Sequence, residues 1–371
     1  PGCGAGGRRH LIPGDGIITT LTSHLKERLL LLDGGLGTQI IARKPTVDDF
    51  GGARFEGCME LLTERRPDWI RAIHGAYLDA GADAVETNTF GCNEVVLGEF
   101  GLAHRVEELN IQAVRLAREV ARDYDRPRYV IGSAGPGTKL VTLGHIGRDA
   151  LYRSYLAQMR GLLKGGADAV LIETCQDLGQ IKIAVRAARD AMAELGTERP
   201  IWVQVTVETS GTLLLGTDIA AVISTLEMLD VDVLGLNCGT GPDEMHAPLA
   251  VLAESSPFDL SCLPNAGLPV NENGRLVYDL SPEAFAEKVA HAAKEFSLNI
   301  VGGCCGTTPD HIRALRGKLS NWNVTHRTPS LDRSATSLYQ AVSLRQDPRP
   351  LIVGERTNAN GSKLFRDLLA K

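Results

Sequence analysis

The chain has 371 residues, of which 43% are apolar and only 5% aromatic, with 40 glycines and a net charge of −6. The acidic balance and the lack of a long Lys/Arg block exclude nucleic acid as a main partner, and the apolar runs are far shorter than the roughly 20 residues of a membrane helix. The eight cysteines predict free thiols in a reducing cytoplasm, where clustered cysteines more often bind metal than form disulfides.

The chain begins with a Gly-rich, basic stretch, PGCGAGGRRHLIPGDG. No apolar segment follows its basic residues, so the stretch does not have the pattern of a secretory signal. We expect residues 1–20 to be a disordered extension and residues 21–319 to form the first folded domain.

Short apolar runs alternate with amphipathic segments from about residue 29 to residue 318. Continuous apolar runs of this length are typical of strands buried on both faces of a parallel sheet. The amphipathic segments repeat apolar residues at three- and four-residue spacing, as helices do. The predicted strands are Leu29–Leu32, Ala84–Thr87, Tyr129–Ile131, Ala169–Ile172, Ile201–Thr206, Val231–Leu236, Leu260–Leu263 and Asn299–Val301, and the clearest helices are Pro67–Ala80, Arg105–Asp123, Asp149–Gly165, Leu178–Leu195 and Pro282–Phe296.

Eight strand–helix units averaging under about 40 residues predict an α/β protein with a (β/α)8 TIM-type barrel. An internal repeat supports this fold, because GADAVET, which starts at Gly81, reappears in part as GADAV from Gly166, with Glu173 and Thr174 shortly after it. An open, doubly wound sheet is the alternative, but eight consecutive units favour closure. Neither DGGLGT nor GPGTK completes a nucleotide-binding motif.

The character of the chain changes after Leu319. Residues 320–350 are polar and show no sustained period, so we expect a linker or a strap across the barrel surface. Residues 351–371 predict a new strand, a polar turn and a helix, which cannot bury a core alone. We interpret them as the start of a truncated second domain.

Three cysteines follow two of the predicted strands. Cys238 lies in GLNCGTGP after the sixth strand, and Cys304 and Cys305 lie in VGGCCGTTP after the eighth. Each group is followed by glycine and by a predicted helix that begins with proline. Side chains at the ends of even-numbered barrel strands share a layer, so the three thiols can meet. Three thiolates would bind zinc and leave one tetrahedral position free, as catalytic zinc sites do.

Other interpretations of these cysteines carry less weight. A single buried cysteine is usually a small hydrophobe, and a disulfide between adjacent cysteines is strained. Cys92 and Cys175 also follow strands, but we expect them to pack in the core. We expect His246 to lie on an outer helix and not to bind metal.

A zinc ion held by three thiolates is a weak Lewis acid and is poorly suited to making hydroxide from water. It is well suited to a fourth thiolate, because coordination lowers the pKa of a thiol. The predicted chemistry is alkyl transfer to a substrate thiol. Asp33, Glu86 and Glu173 lie at the ends of the first, second and fourth strands and fit an amine on that substrate, and we expect two of the three to face it. Weaker candidates for ligand contacts are the backbone N–H groups of Gly34, Gly35 and Gly37, which could bind a carboxylate, and Asn88, Asn237 and Asn265.

The motifs LLLLDGGLGTQI, ETNTFGCN, LIETCQD, GLNCGTGP, PNAGLP and GGCCGTTPDHI occur in this order over residues 29–318. They resemble the homocysteine S-methyltransferase family. The later segment VGERTNANGS resembles the opening strand of the pterin-binding domain that follows in cobalamin-dependent methionine synthases. The chain is thus similar to the N-terminal, homocysteine-binding module of those enzymes.

The resemblance implies zinc-dependent methyl transfer to the thiol of homocysteine, which gives methionine. Cys238, Cys304 and Cys305 would be the catalytic zinc ligands, with the homocysteine sulfur as the fourth, and Asp33 and Glu173 would help to hold the amino group. Methylcobalamin and methyltetrahydrofolate are implied for the full-length enzyme, where downstream cobalamin-binding and pterin-binding domains would bind them.

Two other functions stay open at this point. A free-standing homocysteine methyltransferase would use S-methylmethionine, S-adenosylmethionine or betaine as donor, and the VGERTN segment argues against it. A non-catalytic, zinc-stabilised scaffold would instead show closed, four-ligand coordination without substrate.

Overall fold

Eight parallel strands form the centre of the molecule. The computed structural model describes residues 20–272, 275–319, 326–330, 332–351 and 361–370. The barrel strands, each slightly different in length from its prediction, are β1 Leu30–Leu31, β2 Ala84–Glu86, β3 Tyr129–Ala134, β4 Ala169–Cys175, β5 Ile201–Val205, β6 Val233–Asn237, β7 Asp259–Leu263 and β8 Ile300–Val301.

The strand order closes the sheet into a barrel. Strands β2 to β7 pair in sequence order, β8 pairs with β7, and β1 pairs with β8, all in parallel. At the remaining seam the N–H of Asp83, beside β2, donates to the carbonyl of Leu31 at 2.7 Å. The predicted (β/α)8 barrel is therefore confirmed, and the open doubly wound sheet is wrong.

A helix follows each strand and covers the outside of the barrel. Pro67 and Pro282 stand at the starts of two of these helices, and left-handed Gly166 and Gly196 end two others, as helix propensities lead one to expect. The helices are α1 Pro67–Asp79, α2 Val106–Ala121, α3 Arg148–Gly165, α4 Leu178–Leu195, α5 Ile219–Leu226, α6 His246–Ser255, α7 Pro282–Glu295 and α8 Pro309–Leu319.

Shorter helical segments fill the connections and the ends of the described chain. The α-helical ones are Leu21–Glu27, Leu36–Ala42, Val47–Phe50, Leu62–Arg65, Glu94–Glu99 and Lys363–Leu369, and the 3-10 turns are Ala53–Phe55, Met59–Leu61 and Ala103–Arg105. No helix in the described ranges is long and apolar enough to cross a membrane.

The core has two layers because successive strand residues point to opposite faces. Leu30 and Leu32 point into the barrel, where they pack with Trp202, whereas Leu31 points outward to the layer beneath the helices. Leu21 and Leu25 of the helix Leu21–Glu27 belong to the inner cluster. That helix therefore closes the end of the barrel where the strands begin.

The polar segment after Leu319 contains a hairpin that was not predicted. Ser334–Thr336 pairs with Ala341–Ser343, and the hairpin contacts the start of α5, where Thr217 donates to Leu338 O at 2.7 Å and Asp218 N–H to Tyr339 O at 2.8 Å. The predicted strand near residue 352, including most of VGERTNANGS, lies outside the described residues. The division into domains stays a prediction.

Candidate functional site

The three cysteines meet at the mouth of the barrel, where the strands end. Cys238 follows β6 directly, and Cys304 and Cys305 follow β8 after two glycines. The three Sγ atoms all lie within 4.8 Å of one another, and those of Cys238 and Cys305 are 3.8 Å apart. All three side chains are half-buried, so the cluster can be reached from the mouth.

The last residue of β7 and the two residues after it hold both halves of this cluster in place. Cys304 N–H donates to Pro264 O at 2.8 Å, and Cys305 N–H donates to the side-chain oxygen of Asn265 at 3.0 Å. On the other side, Cys238 N–H donates to Leu263 O at 3.1 Å. Because β7 lies between β6 and β8, its end aligns the two cysteine turns.

The geometry of the thiol cluster fits a zinc ion. Zinc–sulfur bonds of about 2.3 Å in a tetrahedron place neighbouring sulfurs roughly 3.8 Å apart, which is the separation of Cys238 and Cys305. Thiolates are also a soft donor set that favours zinc over magnesium or calcium. Among the described residues, this trio is the one group with metal-ligand spacing.

The thiols also control one another's protonation. Hydrogen bonds from Cys238 and Cys304 lower the pKa of Cys305 to about 3, and the Tyr278 hydroxyl contributes in the same direction. The pKa of Cys304 is raised by its hydrogen bonds with the other two thiols, and desolvation adds to the shift. The cluster is therefore arranged to stabilise negative charge on sulfur.

Three carboxyl groups line the same mouth. Asp33 is 1% exposed, and its Oδ2 accepts the N–H of Glu86 at 3.0 Å. Asp33 Oδ1 and Glu86 Oε1 are buried and have no hydrogen-bond partner in the described part of the chain. Burial raises the pKa of both groups well above the usual carboxyl range, and the nearby charge of Glu173 adds to both shifts.

Glu173 is held by residues on the two sides of β4. Ser133 Oγ donates to Glu173 Oε1, and Asn237 Nδ2 donates to Oε2 at 3.0 Å. Burial raises the pKa of Glu173 to about 7, with a further contribution from the charge of Cys305, whereas the hydrogen bonds from Ser133 and Asn237 oppose the shift. The carboxylate thus lies near the thiols.

The three carboxyl groups of the site have no cationic partner among the described residues. No lysine or arginine in the described residues forms an ion pair with Asp33, Glu86 or Glu173. Buried carboxyls without such partners are costly unless they are protonated or paired. The arrangement therefore suits a metal cation beside a ligand ammonium group.

The structure departs from the sequence interpretation in two details. The helix predicted to begin with Pro242 begins at His246, since residues 242–245 form a turn. Gly35 N–H, which could have bound a ligand carboxylate, instead donates to Thr307 Oγ1 at 3.0 Å.

The weaker candidate residues make contacts that stabilise the fold. Cys92 and Cys175 are fully buried, and the His246 ring bonds to Glu295 on the outside of the barrel at 2.9 Å. Asn88 donates to Met59 O at 2.8 Å.

Sequence reasoning missed two residues of the site. Ser133 lies within β3 and looks like any small strand residue. Tyr278 follows the strand Arg275–Val277, which pairs with Val270–Glu272 in a short antiparallel hairpin that was not predicted. A polar residue inside an apolar strand is the one signal that could have identified Ser133.

Comparison with known proteins identifies relatives over most of the chain. Residues 30–319 match the homocysteine S-methyltransferase family. The chain is 48% identical to the methionine synthase of Mycobacterium tuberculosis (strain ATCC 25618 / H37Rv) and 47% identical to that of Mycobacterium leprae (strain TN), over 95% of its length in both cases. It spans only 30% of the length of each of these relatives.

Among solved structures, the chain is similar to the homocysteine methyltransferase MmuM from Escherichia coli in its oxidized and metallated forms. The TM-scores are 0.65 and 0.63, with identities of 22% and 23%. The likeness covers 82% and 79% of this chain and 100% and 97% of MmuM. At this identity it shows the shared barrel fold.

Proposed function

The chain belongs to the homocysteine S-methyltransferase family, and we propose that it transfers a methyl group to the thiol of homocysteine as the homocysteine-activating module of a cobalamin-dependent methionine synthase. The observation that carries this proposal is the convergence of Cys238, Cys304 and Cys305 within 4.8 Å at the mouth of the barrel. The similarity to two methionine synthases supports the choice of module.

Cys238, Cys304 and Cys305 would hold a zinc ion. When bound, zinc lowers the pKa of a thiol in its fourth position and so supplies a thiolate at neutral pH. The half-buried cysteines leave access for that thiol, while the buried strand ends around them limit the access of water. Their hydrogen bonds to the end of β7 fix the direction of the sulfurs.

Asp33 and Glu173 would bind the amino group of homocysteine. Both are buried, and Asp33 keeps an oxygen without a hydrogen-bond partner among the described residues. An ammonium group beside them would favour their ionised forms and offset the burial that raises their pKa. Binding the amine would therefore hold the substrate thiol toward the cysteine cluster.

The methyl donor would bind outside the described barrel. We propose that methylcobalamin and methyltetrahydrofolate bind to downstream cobalamin-binding and pterin-binding domains of the same polypeptide. That the chain spans 30% of its methionine synthase relatives supports this arrangement. We place the protein in the cytoplasm, where the thiols stay reduced.

The test uses zinc-loaded protein, homocysteine and methylcobalamin, with methionine as the measured product. Cys305→Ala should lose most zinc and reduce methyl transfer to background, while circular dichroism shows a folded barrel. Cys262→Ala is the matched control, because Cys262 is buried against Met245 and lies outside the cluster. It should keep both zinc and activity.

Two results would contradict the proposal. Full activity in Cys305→Ala after metal loss would remove the zinc mechanism. Transfer from S-methylmethionine, S-adenosylmethionine or betaine, but not from methylcobalamin, would favour a free-standing methyltransferase.

A further inference from the structure

The side-chain amide of Asn237, the last residue of β6, joins β6 to the end of β4. Its Nδ2 donates to Glu173 Oε2 at 3.0 Å and to Thr174 Oγ1 at 2.9 Å. Its Oδ1 accepts the N–H of Thr174 at 2.8 Å. Asn237 is 1% exposed, and both of its N–H donors are used, so the amide has one orientation.

The backbone turns sharply next to this amide on both strands. Thr174 has φ +58° and Cys238 has φ +54°, a left-handed conformation that residues other than glycine seldom adopt. Thr174 follows Glu173, and Cys238 follows Asn237. Strain of this kind persists where surrounding contacts hold it, and the bonds of Asn237 to Thr174 are such contacts.

Ser133 also holds the carboxylate of Glu173. Its Oγ donates to Glu173 Oε1 from β3, while its N–H donates to Thr87 Oγ1 at 3.1 Å. Both oxygens of Glu173 therefore receive a hydrogen bond from a neutral group, Ser133 on one side of β4 and Asn237 on the other. A carboxylate oxygen can accept more than one hydrogen bond, so both remain able to bind a ligand.

We propose that Asn237 and Ser133 are positioning residues that fix Glu173 for the amino group of homocysteine. Asn237 also fixes the distance from this carboxylate to Cys238, because its side chain bonds to Glu173 while its backbone is joined directly to Cys238. The site thus recognises the spacing between thiol and amine in its substrate. This inference rests on the proposed function.

The test compares two thiols that differ only in the amine. Homocysteine and 4-mercaptobutyrate have the same carbon chain and carboxylate, but 4-mercaptobutyrate has no amino group. Calorimetric titration of zinc-loaded protein gives both dissociation constants for the wild type, Ser133→Ala and Asn237→Asp. Zinc content and thermal unfolding are measured on the same samples.

The two variants remove different parts of the support. Ser133→Ala removes the donor to Glu173 Oε1 and leaves the Cys238 turn intact. Asn237→Asp keeps an acceptor for Thr174 N–H but places a carboxylate against Glu173. Ser261→Ala is the control, since Ser261 is also a buried strand serine and accepts from Gln204 at 3.0 Å instead.

We expect each variant to weaken homocysteine binding roughly tenfold or more, the size of a lost hydrogen bond to a charged group. Binding of 4-mercaptobutyrate and zinc content should stay at the wild-type level in Ser133→Ala, which leaves the Cys238 turn intact, as should all values for Ser261→Ala. Ser133→Ala decides the question if Asn237→Asp does not fold.

The contradicting results are distinct. If Ser133→Ala weakens the binding of both thiols equally, or of neither, the positioning role is wrong while the proposed function stands. If the wild type itself does not prefer homocysteine, the proposed substrate is wrong and the inference is wrong with it.

Discussion

Among single residues, Glu173 is a group whose protonation depends strongly on its surroundings. Its pKa is raised to about 7, chiefly by burial, so a neutral form persists close to physiological pH. A cation bound beside it would shift the balance toward the carboxylate. Ionisation and amine binding are therefore linked at this position.

The raised pKa predicts a pH dependence of stability in the metal-free protein. Between the unperturbed value of 4.5 and about 7, the native chain binds more protons than the unfolded chain. The free energy of unfolding should fall as pH rises through this window, by at most roughly 3 kcal/mol from Glu173. Asp33 and Glu86, whose pKa values are also raised, should add to the fall.

Urea unfolding at about pH 5 and about pH 8 measures this difference. Glu173→Gln has no proton to release, so its stability should fall less between the two pH values. An unchanged difference in the variant would show that Glu173 ionises normally in the folded protein.

Among single residues, the reactive groups were easier to predict from the sequence than the residues that hold them in place. Cysteines and acids directly after apolar strands were recognisable because barrel topology brings strand ends together. The bonds of Asn237 to Glu173 and Thr174 were not recognisable, because they depend on the irregular end of β4. There the register with β5 shifts between Ile172 and Cys175.

Among the elements, the segment after the barrel packs on it through one arginine as well as through the hairpin. The Arg327 guanidinium donates to the carbonyls of Ala253 and Ser256, at 3.2 Å and 3.1 Å, and to that of Phe258. These carbonyls lie at and beyond the end of α6, where a helix leaves carbonyl groups without partners. The arginine therefore caps α6 from a distant part of the chain.

Arg327→Ala should lower the free energy of unfolding by about 1–3 kcal/mol, because the carbonyls lose a charged donor. Thermal or urea unfolding measures the loss. Arg345→Ala, a change of an exposed arginine in the same segment, should have an effect within about 0.5 kcal/mol. Equal effects of the two changes would mean that Arg327 does not cap α6.

The helix Leu21–Glu27 provides a second prediction for an element. Leu25 is 5% exposed and packs in the inner cluster, so Leu25→Ala should cost about 2–5 kcal/mol. Lys26→Ala, on the exposed side of the same helix, should cost within about 0.5 kcal/mol. Urea unfolding of both variants checks this, and a neutral Leu25→Ala would show that the helix does not close the barrel.

The helices and strands were predictable where their own residues carry a clear apolar pattern. All eight strands were predicted because each contains a short, mainly apolar run, and α4 was predicted with its observed bounds, Leu178–Leu195. The short helix α6 begins after a turn at Pro242 that proline alone did not reveal. The hairpin Ser334–Ser343 is held by hydrogen bonds to the start of α5, which a local pattern does not contain.

In the whole molecule, the barrel brings a cluster of three thiols and three buried carboxyl groups to one open end. The helix Leu21–Glu27 closes the opposite end, so ligands have to enter at the mouth. Under the proposed function the methyl donor has to approach at this mouth, because the thiol cluster lies there.

X-ray absorption at the zinc edge, with and without homocysteine, tests this account most directly. The account predicts three sulfur ligands in the zinc-loaded protein and four after homocysteine is added. Homoserine, which has a hydroxyl in place of the thiol, should leave the sulfur count at three. Zinc that keeps the same four protein ligands when homocysteine is added would contradict the account and indicate a structural metal.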